Sequence, residues 1–148
     1  MQRLKPKGRI IESKLRVRYA ETDAMGIVHH SRYIPWFEVG RSDWMREMGF
    51  PYREFEKMGY YLTVTEIWAR YYQPAVYDEV VTVLTWIEEI KSRGLTIAYE
   101  VQNEEGKRLV QGYSKHVCIT HDGVPVRLPD KIYELFAQAQ NSSTNPST

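Results

Sequence analysis

The chain is poor in cysteine, and this scarcity is the first constraint on what it can be. Among 148 residues only Cys118 carries a thiol, so an intrachain disulfide framework is excluded and a reducing compartment is favoured. No apolar run approaches the length of a membrane span, and the basic segment 1–10 lacks the apolar centre of a signal peptide. We therefore expect a cytoplasmic protein with no membrane partner.

The chain also has no large excess of charge of either sign and no residue spacing typical of a metal site. The formal net charge is +1, with both signs mixed along the chain, which argues against nucleic acid or an acidic membrane as a partner. The four histidines and one cysteine show no metal-ligand spacing. Glycine patterns of phosphate-binding loops and the Gly-x-Ser-x-Gly elbow of serine hydrolases are absent. The sequence predicts neither a metal site nor a resident cofactor.

The periodicity of apolar residues predicts one strand, one helix and then a series of strands. Alternation over 12–19 indicates the first strand, and helical spacing over 33–48 indicates a helix with Ser31 as its N-cap. Gly40 lies inside that helix at a cost of about 1 kcal/mol relative to alanine, so we expect it to pack closely against the sheet. Further strands are predicted at 60–72, 79–90, 94–104 and 108–120.

This order of elements is typical of an α+β protein in which one helix covers one face of an antiparallel sheet. We divide the chain into an N-terminal arm (1–12), a single domain (13–140) and a polar tail (141–148) that is predicted to be disordered. The strand at 79–90 is apolar on both faces. A partner subunit is therefore expected to cover its outer face.

The most informative stretch is the turn between the first strand and the helix. Asp23 leaves the end of the strand, Gly26 lets the backbone approach a ligand, and the helix begins near His30. The first amides of a helix have no intrahelical acceptor and favour developing negative charge. A carboxylate beside such an amide suits chemistry at a polarised carbonyl, by direct attack or by activating water. The residues do not choose between these routes.

Each candidate also has an ordinary structural interpretation. A lone aspartate in a turn usually caps backbone amides, and Glu21 is expected to steady the same turn by local hydrogen bonds. The connection containing Arg93 fits a solvated turn as well as a phosphate contact. Aromatic residues, abundant here, line pockets or fill cores. Those considered for an acyl pocket are Tyr33, Trp36, Phe37, Tyr60, Tyr61, Trp68, Tyr71 and Tyr72.

The turn and the start of the helix resemble the signature of a known family. The run is Glu21-Thr22-Asp23-x-x-Gly26-Ile27-Val28-His29-His30-x-x-Tyr33, followed by Trp36-Phe37-Glu38. It resembles that of hot-dog-fold acyl-CoA thioesterases of the 4-hydroxybenzoyl-CoA thioesterase type, over about 13–129. The resemblance implies a hot-dog fold, in which an antiparallel five-stranded sheet wraps around a long central helix. It also implies a homodimer or homotetramer whose active site is completed across the subunit interface.

The resemblance further implies roles for individual residues. It places the catalytic carboxylate on Asp23 and the carbonyl-polarising amide on His30, whose side chain is at most a helper. Arg93 is implied near the phosphates of coenzyme A. The other implied substrate-binding residues are Gly26, Ile27, Val28, His29 and Tyr33.

The implied function is hydrolysis of an acyl-CoA to a carboxylic acid and coenzyme A. Two alternatives stay open: a non-catalytic module that binds acyl-CoA or an acyl carrier, and hydrolysis of acyl-carrier-protein thioesters. A hydratase or dehydratase of this fold is disfavoured because the expected Asp, Asn and His pattern is absent. The length and aromatic or aliphatic character of the acyl group are left open.

Overall fold

Residues 3–142, the part of the chain that the computed structural model describes, form a five-stranded antiparallel sheet with three α-helices. The strand order across the sheet is β1-β3-β4-β5-β2, so β1 and β2 are its edges. No helix in these residues is both long and apolar enough to cross a membrane. The elements are β1 (Ile11–Arg16), α1 (Tyr33–Glu47), α2 (Tyr52–Lys57), β2 (Tyr60–Tyr71), β3 (Val80–Lys91), β4 (Gly94–Gln102), β5 (Arg108–Thr120) and α3 (Asp130–Asn141).

The α+β class and all five strands are confirmed, with two local corrections near the motif. The first strand ends at Arg16 instead of residue 19, because Tyr19–Glu21 forms a short 3₁₀ turn. Ser31 is not the N-cap of α1, because a second 3₁₀ turn, His30–Arg32, precedes that helix. The side chain of His29 caps this turn instead.

The expectation of a single helix is wrong, since α2 and α3 are also present. Ile132, Phe136 and Ala139 of α3 are buried at helical spacing, and the Phe136 ring packs 5.6 Å from that of Trp44 on α1. Asn141 ends α3, so the predicted disordered tail does not begin there. The rest of that tail, residues 143–148, lies outside the described residues.

The segment before β1 lies against the rest of the chain. The Gln111 side chain pairs with the backbone of Leu4 through two hydrogen bonds, of 3.1 and 2.7 Å. The Arg9 amide donates a hydrogen bond to the carbonyl of Ala139, and the Arg9 carbonyl accepts one from the indole N–H of Trp44. The arm therefore contacts β5, α1 and α3, and its division from the domain stays a prediction.

Helix α1 approaches the inner face of the sheet closely, and glycines make this possible. A Cβ on Gly40 would overlap the Thr85 hydroxyl and lie 3.0 Å from Val83 Cγ1. On the sheet, a Cβ on Gly112 would lie 2.6 Å from the ring of Phe37. That ring stacks on Tyr99 with centroids 4.5 Å apart. The prediction that Gly40 packs against the sheet is confirmed.

We predict that Gly40→Ala destabilises the protein although alanine is the better helix former. Helix propensity favours alanine by about 1 kcal/mol, whereas overpacking a core costs about 1–3 kcal/mol. The expected net loss of unfolding free energy is up to about 2 kcal/mol by denaturant titration. Adding Thr85→Ala should recover most of it, since the overlapping hydroxyl is removed. A Gly40→Ala variant more stable than the parent would contradict close packing.

Candidate active site

The motif forms a tight hairpin that presents Asp23 at its tip. Thr22 and Val28 are bridged in antiparallel fashion, and the Asp23 amide donates to the carbonyl of Ile27 at 2.9 Å. Gly26 closes the turn by donating to the Asp23 carbonyl at 3.0 Å. Its φ of +79° lies in the left-handed region, which glycine adopts without strain. The glycine is required here by backbone conformation and not by crowding, because a Cβ at this position would meet nothing within 4 Å.

The carboxylate of Asp23 has a structural function and remains available for chemistry. Its Oδ1 accepts the amide of Met25 at 2.8 Å, which is the turn-capping interaction expected of aspartate. Within residues 3–142, Oδ2 accepts no hydrogen bond. The side chain is exposed. One oxygen therefore fixes the turn and the other is free.

The segment that links β2 to β3 holds this hairpin from the other side. Val28 donates its amide to Ala75 at 2.9 Å, and Tyr77 donates its amide to Gly26 at 3.0 Å. The buried hydroxyl of Tyr33 accepts the amide of Ala75 at 3.0 Å. Tyr33 therefore connects α1 to the same segment.

A buried carboxylate joins the hairpin to α1. Glu21 is only 5% exposed, and its Oε2 accepts the indole N–H of Trp36 at 2.8 Å. Its Oε1 accepts the amide of Arg18 at 2.8 Å, and the Arg18 guanidinium lies 3.6 Å from Oε2. The carbonyl of Glu21 accepts the His29 amide at 3.0 Å. The expectation that Glu21 steadies the turn is confirmed, and the bond to α1 adds a second function.

The two histidines lie at the start of the helical segment. His29 Nδ1 accepts the amide of Ser31 at 3.2 Å, and its ring centroid lies 4.2 Å from that of His30. The carbonyl of His30 accepts the Tyr71 hydroxyl at 3.1 Å. Within residues 3–142 the His30 amide donates to no acceptor. This N–H is the free helix-start donor that the motif predicts.

These elements surround a cleft of about 360 Å³. Gly26 lies in the hairpin behind it. The predicted site residues that line the cleft are Asp23, Ile27, Val28, His29, His30 and Tyr33. The remaining wall comes from the end of β2 and the residues after it, Tyr71, Tyr72, Gln73 and Pro74. Local sequence does not reveal Gln73 and Pro74, because the connection after β2 meets the hairpin through bonds between distant parts of the chain, such as that from the Val28 amide to Ala75.

Arg93 is not brought to this cleft. It lies in the turn between β3 and β4, on a separate groove of about 290 Å³. Lys91, Ser92 and Lys115 line the same groove, and the Arg93 carbonyl accepts the amide of Cys118 at 2.8 Å. The Arg93 side chain is exposed. The groove therefore presents several cationic side chains, the type of group that binds phosphate.

Residues 17–136 match the sequence family described as the thioesterase-like superfamily. The chain belongs to this family. It is 37% identical over 110 residues to the putative acyl-CoA thioesterase YneP of Bacillus subtilis, covering 74% of this chain and 80% of that protein. It is 33% identical over 125 residues to the acyl-CoA thioesterase YbgC of Haemophilus influenzae, covering 82% and 90%.

A solved structure shows the same architecture. The DHNA-CoA thioesterase from Staphylococcus aureus superimposes with a TM-score of 0.85 at 34% identity, covering 89% of this chain and 91% of that one. The hot-dog fold and the resemblance to acyl-CoA thioesterases are confirmed. This thioesterase is accordingly a thioester hydrolase, and the described cleft is its candidate active site.

We predict that Trp36→Phe weakens both the fold and the site of this thioesterase. The variant keeps an aromatic ring but removes the N–H that donates to the buried carboxylate of Glu21. The free energy of unfolding should therefore fall by about 1–3 kcal/mol. Turnover should fall as well, because Glu21 then no longer ties the hairpin to α1.

Trp44→Phe provides a matched control, since it removes an indole N–H that donates to the neutral carbonyl of Arg9 at 3.2 Å. Thermal or denaturant unfolding and a thiol-release assay would compare the two. Equal stability losses with equal turnover would contradict a special function for the bond between Trp36 and Glu21.

Proposed function

We propose that this thioesterase hydrolyses an acyl-CoA to a free carboxylic acid and coenzyme A, with Asp23 as its catalytic carboxylate. The observation that carries the proposal is the joint position of two unsatisfied groups in one cleft. Asp23 keeps a free carboxylate oxygen, and His30 keeps a free backbone N–H. A carboxylate and an amide donor are the two groups that acyl transfer to water requires.

The amide of His30 polarises the thioester carbonyl in this mechanism. Addition to the carbonyl carbon places negative charge on its oxygen, and a positioned N–H stabilises that charge. Asp23 either attacks the carbon to form a mixed anhydride, which water then cleaves, or removes a proton from an attacking water. Both routes break the carbon–sulfur bond and release the thiol. The side chain of His30 has no obligatory step in either route.

The substrate proposal draws on the relatives and the cleft wall. Two of the relatives are named as acyl-CoA thioesterases and one solved structure as a DHNA-CoA thioesterase. The rings of Tyr33, Tyr71 and Tyr72 line the cleft and offer flat apolar surface to an acyl group. Ile27, Val28 and His29 supply the remaining predicted contacts. Coenzyme A is the donor that these names favour over a carrier protein.

We place the phosphates of coenzyme A on the groove around Arg93. Its exposed cations include Lys91 and Arg93, and Ser92, which lies between them in the sequence, lines the same groove. Guanidinium and ammonium groups are the usual partners of phosphate oxygens.

Self-association as a homodimer or homotetramer is part of the proposal. The edge strand β2 has twelve residues, and its outward-facing backbone groups have no strand partner within residues 3–142. It also exposes Tyr61, Val64, Ile67 and Tyr71. Long apolar edge strands are stabilised by pairing. Since Tyr71 also lines the cleft, a subunit on this edge would border the active site.

We predict that Asp23→Asn abolishes turnover without loss of fold. Asparagine still accepts the Met25 amide and therefore keeps the turn, but it neither attacks the carbonyl nor takes a proton. The turnover number should fall by about 10³-fold or more, while the Michaelis constant changes little. A thiol-release assay against short, long and aromatic acyl-CoAs would measure both.

Asp122→Asn is the matched control for this variant, because Asp122 is exposed in a turn far along the chain from the motif. It should retain parental activity. Near-normal hydrolysis by Asp23→Asn would refute the assignment of the catalytic carboxylate. Tight acyl-CoA binding without turnover by the parent protein would favour the binding-module alternative.

We also predict that Arg93→Gln raises the Michaelis constant for acyl-CoA by about two- to fivefold, as expected for an exposed charge contact. The turnover number should not change, because Arg93 does not line the cleft. An acyl-pantetheine lacks the nucleotide phosphates, so its kinetics should be unaffected. Arg53→Gln, an exposed arginine on α2, serves as the control. An equal effect on both substrates would contradict a phosphate contact.

A further inference from the structure

A small cavity lies beneath the middle of α1, apart from the cleft. It measures about 110 Å³, roughly the space of three or four water molecules. Its walls come from α1, α2 and the first half of β2, and no residue that lines the cavity also lines the cleft. Ser42 is exposed, so the cavity reaches the surface beside it. The lining residues are Arg41, Ser42, Met45, Tyr52 and Leu62.

The guanidinium of Arg41 is largely unsatisfied in this cavity. It forms no salt bridge with any residue from 3 to 142. Its one hydrogen bond in that range is long, at 3.4 Å from Nη1 to the hydroxyl of Tyr99. A guanidinium has five N–H donors in a planar fork that matches the oxygens of a carboxylate or phosphate. A half-buried arginine with unused donors favours an anionic ligand.

The hydroxyl of Tyr52 adds a second donor. It accepts the amide of Leu62 at 3.0 Å, and its own proton has no acceptor within residues 3–142. Burial raises the pKa of Tyr52, so the hydroxyl stays protonated at neutral pH. The cavity wall therefore presents N–H and O–H donors and contains no carboxylate.

A buried polar row continues from this cavity into the core. The Tyr99 hydroxyl contacts Ser114 Oγ at 2.6 Å, and Ser114 Oγ contacts His116 Nε2 at 2.7 Å. Nδ1 of His116 is buried and has no partner within residues 3–142. Burial and then the positive charge of Arg41 lower the pKa of His116 to about 4, so the ring is neutral at pH 7.

We propose that the Arg41 cavity is a second binding site, which takes a small oxyanion through Arg41 and Tyr52. The volume accommodates a carboxylate or phosphate group but not an acyl-CoA. Two ligand sources share this chemistry: a free carboxylate, the group released by thioester hydrolysis, and inorganic phosphate. The site is independent of the Asp23 chemistry, because the two share no residue.

The experiment is a titration of the full chain with sodium acetate and, separately, with sodium phosphate at constant ionic strength. The His116 imidazole is followed by two-dimensional ¹H–¹⁵N NMR. A bound anion offsets the charge of Arg41, so the His116 signals should shift saturably and its pKa should rise from about 4. Two other charged groups act on the residues involved, Glu38 on Tyr99 and Glu56 on Tyr52. Both are present in every titration, so they do not cause a difference between one anion and another. Saturation by either oxyanion supports the site, and saturation by only one of them identifies the source, while chloride should have no such effect.

Arg41→Gln should lower the affinity for the oxyanion about tenfold or more. Arg46→Gln is the matched control, because Arg46 is an exposed arginine of α1 that pairs with Asp43 at 2.7 Å. If Arg41→Gln fails to fold, Tyr52→Phe tests the second donor and should also weaken binding. No saturable shift with either oxyanion, or parental affinity in the variants that fold, would overturn the proposal.

Discussion

The close approach of α1 to the sheet is the constraint on which the rest of the structure depends. It is permitted by glycines on both surfaces, Gly40 on the helix and Gly112 on β5, where any Cβ would meet a neighbouring side chain. Phe37 then lies flat on Tyr99. Interiors are packed nearly as densely as crystals, so a helix held at this depth has little freedom to slide or tilt. Its first turn is thereby fixed relative to the strand ends.

The site depends on that fixed first turn through two hydrogen bonds from aromatic residues. Trp36 donates its indole N–H to Glu21, which holds the hairpin, and the Tyr33 hydroxyl accepts from Ala75, which holds the segment after β2. Each bond is buried, where an unpaired polar partner would cost more than the bond contributes. The hairpin and the segment after β2 are therefore both held to one helix. This arrangement restrains the position of Asp23, the proposed catalytic carboxylate.

The parts of the fold that follow from local sequence were predicted well. The hairpin depends on Asp23 and Gly26, which lie three residues apart, and the sheet depends on strands with a clear period of two. The second wall of the cleft was not predicted as a unit, because Gln73 and Pro74 reach the site only through long-range contacts between the connection after β2 and the hairpin. The helix α3 was missed although Ile132, Phe136 and Ala139 have helical spacing. Its twelve residues contain only these three buried positions, too few to establish a helical period from sequence alone.

Asp23 shows why the structural and the catalytic interpretations of a turn residue need not compete. Capping uses one carboxylate oxygen, and the bond to Met25 restrains the side chain to one orientation. That restraint lowers the entropy that a catalytic group would otherwise lose on reaching the reactive geometry. The second oxygen stays free in the same cleft as the His30 N–H, which donates to no acceptor within residues 3–142. The residue's ordinary function in the turn is thus the physical basis of its proposed function in the cleft.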